Sequence, residues 1–198
     1  MKQALPNLLT LSRIPFLFII AGLLFVEAPW VATLTLVLFI LAGLTDWLDG
    51  ALARRFGVVS DFGKFMDALT DKILMMGLFV TVIVVPGLVP TWFLALVLLM
   101  LCREFLITGM RMMAASKGVV LGAEKAGKQK TVTQIVAIGL ILLIPVLERD
   151  FGWTAGATGA RWAGYVFFVL AAFLTVSSGL RYFLKYRASL RTPAAATH

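Results

Sequence analysis

The chain has 198 residues, of which 61% are hydrophobic and only 14% charged, and it carries a net charge of +8. A soluble domain of this size cannot bury so much apolar surface in one core, so the composition points to an all-α polytopic membrane protein, read as one domain over residues 1–198. A lone cysteine, Cys102, excludes an internal disulfide, and the single histidine is His198, so acid and base work falls to carboxylates rather than to imidazole or a His/Cys metal cage.

The first apolar run, residues 7–26, has a weakly basic start, a long apolar part and no small-x-small site behind it, which reads as a retained span and not a signal peptide. A second run covers 30–45. The third, 73–101, far exceeds a ~30 Å hydrocarbon core and carries Pro86 and Pro90 in its middle, so it divides into two helices around PGLVP. Runs at 131–147 and 162–180 complete six transmembrane helices. Placing both termini and the loops after the second and fourth spans on one side gathers 16 of the 18 Lys and Arg residues there and leaves only Arg149 and Arg161 opposite. By the positive-inside bias, the N- and C-termini are cytoplasmic. That bias and contact with anionic membrane lipids account for the basic excess, and no soluble basic domain exists to suggest nucleic acid as a partner. Trp30, Trp92, Trp153 and Trp162 fall where interface anchors are expected, and Gly22, Gly77 and Gly139 where helices pack closely.

Five of the ten acidic residues lie in TDWLDGALARRFGVVSDFGKFMDALTDK, residues 45–72. Counted from the outer ends of their spans at ~1.5 Å per residue, Asp46 comes ~24 Å down, Asp71 ~22 Å and Asp67 ~28 Å, so two acidic turns meet at one depth near the cytoplasmic headgroups. Asp46 and Asp49 are spaced i, i+3 and Asp67 and Asp71 i, i+4, which puts each pair on one helix face. Four carboxylates so close repel one another unless a cation holds them ionised. An all-oxygen cage suits one or two Mg²⁺ or Mn²⁺ ions and is typically completed by substrate phosphates. Gly50 allows close approach of a substrate to the backbone, and Arg54, about one turn on, can pair with a phosphate. Arg54, Arg55 and Lys64 also fit ordinary positive-inside residues, and Asp61 fits a helix cap.

Asp46, Asp49, Gly50, Ala53, Arg54, Gly63, Asp67 and Asp71 match D-x2-D-G-x2-A-R-x8-G-x3-D-x3-D position for position. In this the chain resembles the CDP-alcohol phosphatidyltransferases. PNLLTLSR, CREFLITGMR and AGKQKTVTQ are similar to looser motifs of those members that take glycerol 3-phosphate as acceptor. The resemblance implies six transmembrane helices in a homodimer at the cell inner membrane, with the active site facing the cytoplasm. It further implies transfer of phosphatidyl from CDP-diacylglycerol to the primary hydroxyl of glycerol 3-phosphate, with a divalent metal at the four aspartates. Asp71 would also take the hydroxyl proton, while Gly50, Arg54, Ser60, Asn7, Thr10 and Arg13 would contact the CDP-lipid.

Such an acceptor brings a dianionic phosphate that the acidic cage repels, so it needs a basic pocket. Arg111 and Lys130, then Arg103, Lys128 and Arg181, lie at compatible depth, with headgroup contact as the other role open to each. The aspartate signature does not separate acceptors, so phosphatidylglycerol, serine and inositol phosphate stay open. An ion or proton transporter also places charges inside the bilayer, but should do so through its full depth, whereas the outer halves of spans two to four are nearly uncharged.

Overall fold

The computed structural model describes residues 4–56, 61–116 and 125–191; within them, the side chains of residues 4–11, 46–56, 61–65, 67, 68, 116, 125–128 and 187–191 lie outside the description. Every regular element among the described residues is helical. In chain order these are α1 (Ala4–Leu23), α2 (Val31–Phe56), α3 (Asp61–Val84), a 3-10 turn (Thr91–Phe93), α4 (Leu94–Ser116), α5 (Lys125–Pro145), a π turn (Val146–Asp150) and α6 (Thr154–Arg191).

The expected break in the third apolar run is present. The helix α3 stops at Val84, Gly87 takes φ +73, a value that favours glycine, and Pro90 at φ −58, ψ 138 leads into the 3-10 turn and α4. Three helical stretches among the described residues are long and apolar enough to cross a membrane: Thr91–Ala115, Gln129–Asp150 and Thr154–Tyr186; Ser12–Leu23 and Val31–Thr45 are shorter apolar helices. Large apolar side chains stand on the outside, among them Phe18, Phe105, Val166 and Phe173. A surface of that kind aggregates in water and is accepted by lipid, so the chain is a membrane-embedded helical protein.

Inside, α1 packs on both α2 and α3, α5 runs against α6, and α6 also packs on α4. Phe168 of α6 stands edge-on to Phe79 of α3 at 4.7 Å and to Phe93 of the 3-10 turn at 4.8 Å, joining the two halves of the bundle in an aromatic core. Of the three glycines expected at close helix contacts, only Gly77 needs to be small: a Cβ there would come 2.5 Å from a methyl of Leu17. At Gly139 it would meet Phe39 at an ordinary 3.7 Å, and at Gly22 it would meet nothing within 4 Å, because that position is exposed near the end of α1.

Polar groups inside the bundle segregate by end. At one end Asp150, in the π turn, accepts hydrogen bonds from the Thr33 amide at 2.8 Å, the Thr33 hydroxyl at 2.7 Å and the Trp30 amide at 3.1 Å. It thereby caps the first turn of α2 from 117 residues away in sequence. Arg161 donates to the Gly87 carbonyl and pairs with Glu148, and Arg149 pairs with Glu27 at 3.4 Å, so the two arginines set apart by the charge count share this end. The four tryptophans at 30, 92, 153 and 162 are all exposed, as anchors at a membrane surface must be. At the other end lie the acidic turns of α2 and α3.

Candidate active site

The local structure required by the aspartate signature is present. Helix α2 is continuous through Asp46, Asp49, Gly50 and Arg54, and α3 through Asp67 and Asp71, so the three- and four-residue spacings keep each acidic pair on one side of its helix. Of the four aspartates, Asp71 has a described side chain, and it is half-buried. The side chains of Asp46, Asp49, Asp67, Arg54, Asn7, Thr10 and Lys128 lie outside the described residues, Gly50 is described by its backbone alone, and Ser60 lies outside altogether. Carboxylate oxygens are hard donors, so this set fits Mg²⁺ or Mn²⁺ and does not fit a soft, thiolate-seeking metal.

Directly after Asp71 the chain turns basic, and there the structure assembles a hub on Glu104 of α4, which is 5% exposed. Its Oε1 is shared by Arg103, whose Nη1 lies 2.8 Å away, and by Lys130 of α5. The backbone carbonyl of Glu104 accepts the Thr108 hydroxyl at 2.7 Å, and that hydroxyl oxygen accepts the Lys72 ammonium of α3 at 2.6 Å. Arg103 also donates through Nη2 to Ser178 of α6 at 3.1 Å; Ser178 donates to the Thr175 carbonyl, and Gln134 of α5 donates to the Thr175 hydroxyl at 3.2 Å. Four helices, α3 to α6, therefore meet on one buried polar network. Arg103, Lys130 and Lys72 against one carboxylate leave a charge of +2, held where lipid would charge heavily for an unpaired ion.

Arg111 sits two turns further along α4 and is exposed. Its Nε donates to the Tyr182 hydroxyl at 3.2 Å, and its guanidinium carbon lies 5.2 Å from the centre of the Tyr182 ring. With it the cationic patch reaches +3. Among the residues anticipated for an acceptor phosphate, the structure thus gathers Arg103 and Lys130 on Glu104 and places Arg111 beside them on α4. Arg181 is exposed and donates to Ser177 of its own helix at 3.4 Å; no contact among the described residues ties it to the hub. Arg13, expected at the mouth of the site, is buried on α1 with 1% exposure.

The sequence does not single out Lys72 as a cation of the hub, Glu104 as the shared counter-ion, or the α6 groups Thr175, Ser178 and Tyr182. A signal for the last three does exist. With Gly179 they occupy i, i+3, i+4 and i+7, which puts them on one face of α6.

A membrane-embedded helical fold with a basic hub beside the acidic turns suits a phosphotransferase that handles lipid. Residues 3–176 match the family model of the CDP-alcohol phosphatidyltransferases, and the chain belongs to that family. Among curated relatives, a protein of Bacillus subtilis (strain 168) is 36% identical over 202 residues, covering 95% of this chain and 97% of its own length. One from Salmonella typhimurium is 34% identical over 196 residues, covering 96% and 98%, and one from Rickettsia bellii is 31% identical over 188 residues, covering 91% and 94%. Each carries the name CDP-diacylglycerol--glycerol-3-phosphate 3-phosphatidyltransferase.

Proposed function

We propose that this chain transfers the phosphatidyl group of CDP-diacylglycerol to the primary hydroxyl of glycerol 3-phosphate, releasing CMP and forming phosphatidylglycerophosphate. The observation that carries the reading is the hub on Glu104: it sets a patch of net positive charge next to Asp71, where an acceptor bearing its own phosphate would otherwise be repelled by the acidic turns. The activity named for the relatives, which align with more than nine-tenths of the chain, supports the same acceptor.

Asp46, Asp49, Asp67 and Asp71 would hold one or two Mg²⁺ or Mn²⁺ ions. Ions held there would supply positive charge to offset the pyrophosphate and the charge that builds on the departing CMP. Gly50, Arg54 and Ser60 receive the CDP portion, with Asn7, Thr10 and Arg13 at the mouth of the site. Arg111 and Lys130, assisted by Arg103, Lys72, Lys128 and Arg181, hold the phosphate of the acceptor and point its primary hydroxyl toward the cytidyl-linked lipid. Asp71 takes the hydroxyl proton; the alcohol oxygen bonds to the phosphorus that bears diacylglycerol, and the bond from that phosphorus to the bridging oxygen of CMP breaks. A depth close to the headgroups lets acyl chains enter sideways from lipid while the polar substrates arrive from water. The six helices are proposed to be six spans of one domain with both termini and the site on the cytoplasmic side of the inner membrane, in a homodimer.

Purified protein supplied with CDP-diacylglycerol and a panel of alcohols tests this. CMP should be released with glycerol 3-phosphate, only when Mg²⁺ or Mn²⁺ is present, and the lipid product should carry a terminal phosphate by mass. Release with phosphatidylglycerol, serine or inositol phosphate in its place would transfer the reading to another acceptor.

A further inference from the structure

We infer that Tyr182 is a positioning residue for acceptor binding: its hydroxyl and ring hold the Arg111 guanidinium so that both terminal amino groups remain for a phosphate monoester. The inference rests on the proposed function, in which Arg111 receives the phosphate of glycerol 3-phosphate.

Arg111 is exposed on α4, and a free arginine side chain samples many rotamers. Tyr182 restricts it twice over, by the hydrogen bond from Nε at 3.2 Å and by the ring face 5.2 Å from the guanidinium carbon. The tyrosine itself has little freedom. It is 2% exposed, packs with Ile107 and Met110 of α4, and lies 4.6 Å from the ring of Tyr186 on the next turn of α6. A rigid aromatic group from one helix therefore fixes a long cation from another.

The chemistry of the hold matters. A guanidinium has five N–H donors, and the Tyr182 hydroxyl uses the single one on Nε. The four on the two terminal nitrogens stay in the plane of the fork, the edge that meets two phosphate oxygens at once. Fixing that edge before the ligand arrives removes ordering cost from binding. Packing alone does not call for a hydroxyl here, since phenylalanine would fill the same space. Tyr182 also lies beyond residues 3–176, the stretch matched by the family model, so the hold belongs to the last turns of α6 in this chain.

Tyr182→Phe keeps the ring and removes the hydrogen bond. In CMP-release assays, the KM for glycerol 3-phosphate should rise about fivefold, with kcat and the KM for CDP-diacylglycerol each within about twofold, since the contact acts on ground state and transition state alike. Arg111→Ala should raise the acceptor KM further, and adding Tyr182→Phe to it should change nothing more, because the group being positioned is gone. An unchanged acceptor KM in Tyr182→Phe, alongside a raised one in Arg111→Ala, overturns the inference and leaves the proposed function standing. A full further rise in the double variant overturns it too. If Arg111→Ala itself leaves the acceptor KM at the wild-type value, the role given to Arg111 falls first and the inference falls with it. Should Tyr182→Phe not fold, Arg111→Lys decides: it keeps the charge and gives up the forked edge, so a raised acceptor KM is expected and an unchanged one overturns the inference.

Discussion

A single methyl group added at Gly179 should weaken acceptor binding without touching any acidic residue. In Gly179→Ala the new Cβ would collide with Cγ of Arg103 and lie 2.7 Å from its Nε and 3.1 Å from its Cδ. Non-bonded carbons settle at ~3.5–4.0 Å, so the arginine stem must move by about 1 Å. Its head is tied at 2.8 Å to Glu104 and 3.1 Å to Ser178, and a shift of that size breaks at least one of the two bonds. Hydrogen bonds to charged groups are worth ~1.5–3 kcal/mol, and rotation of the guanidinium restores part of the loss. We expect ~1.5 kcal/mol, which is about tenfold in KM for glycerol 3-phosphate. Replacing glycine by alanine in a helix gains ~0.5–1 kcal/mol in propensity, which offsets part of the loss in the folded state. The assay is CMP release against acceptor concentration, with the KM for CDP-diacylglycerol as the internal control. An acceptor KM within twofold of wild type would refute the geometry given to Arg103, and a second tenfold rise on top of Arg103→Ala would show that the methyl acts elsewhere.

Replacing Asp71 by Asn removes the proposed proton acceptor and one carboxylate of the cage together, and CMP release should drop at least ~100-fold; full activity would reject its assignment as base. Lys130→Met removes one charge-assisted bond and leaves Glu104 buried with Arg103 as its remaining partner on the carboxylate, which should cost ~1.5–3 kcal/mol of stability. Adding Glu104→Gln removes the Arg103 pairing as well, but the Lys130–Glu104 bond can be lost only once, so the loss in a thermal melt should fall short of the sum of the two singles; a double variant as unstable as that sum would contradict the shared-counter-ion description. Asp150→Ala removes three hydrogen bonds from the first turn of α2 at the opposite end of the bundle. A lost cap at a partly exposed site costs ~1 kcal/mol, so the melting temperature should fall by ~2–4 °C with both KM values unchanged, and a shifted KM would mean that the two ends are coupled.

The features that could be read from sequence are those lipid penalises. A charge in hydrocarbon must have a reason, so Asp46, Asp49, Asp67, Asp71, Arg103, Arg111 and Lys130 announced themselves by position alone. A serine or threonine in the same helices is a weaker signal, because its hydroxyl can bond to its own helix, as Thr35, Thr81 and Thr133 do four residues back. Ser178 and Tyr182 differ only in the partners brought to them, Arg103 and Arg111, which are 75 and 71 residues distant in sequence. The same reasoning explains where the helix ends were missed. Apolar runs at 131–147 and 162–180 mark lipid contact, whereas α5 begins at Lys125 and α6 continues to Arg191. Lys130 and Tyr182 fall just outside those two runs, yet both lie within the longer apolar stretches Gln129–Asp150 and Thr154–Tyr186 of the folded helices. Gly77 and Gly22 make the complementary point: both sit in apolar helices, yet only the one facing Leu17 is constrained, and the facing residue is supplied by another helix. What decides a role here is which side chain a second helix delivers, a quantity that periodicity along one strand of sequence does not contain.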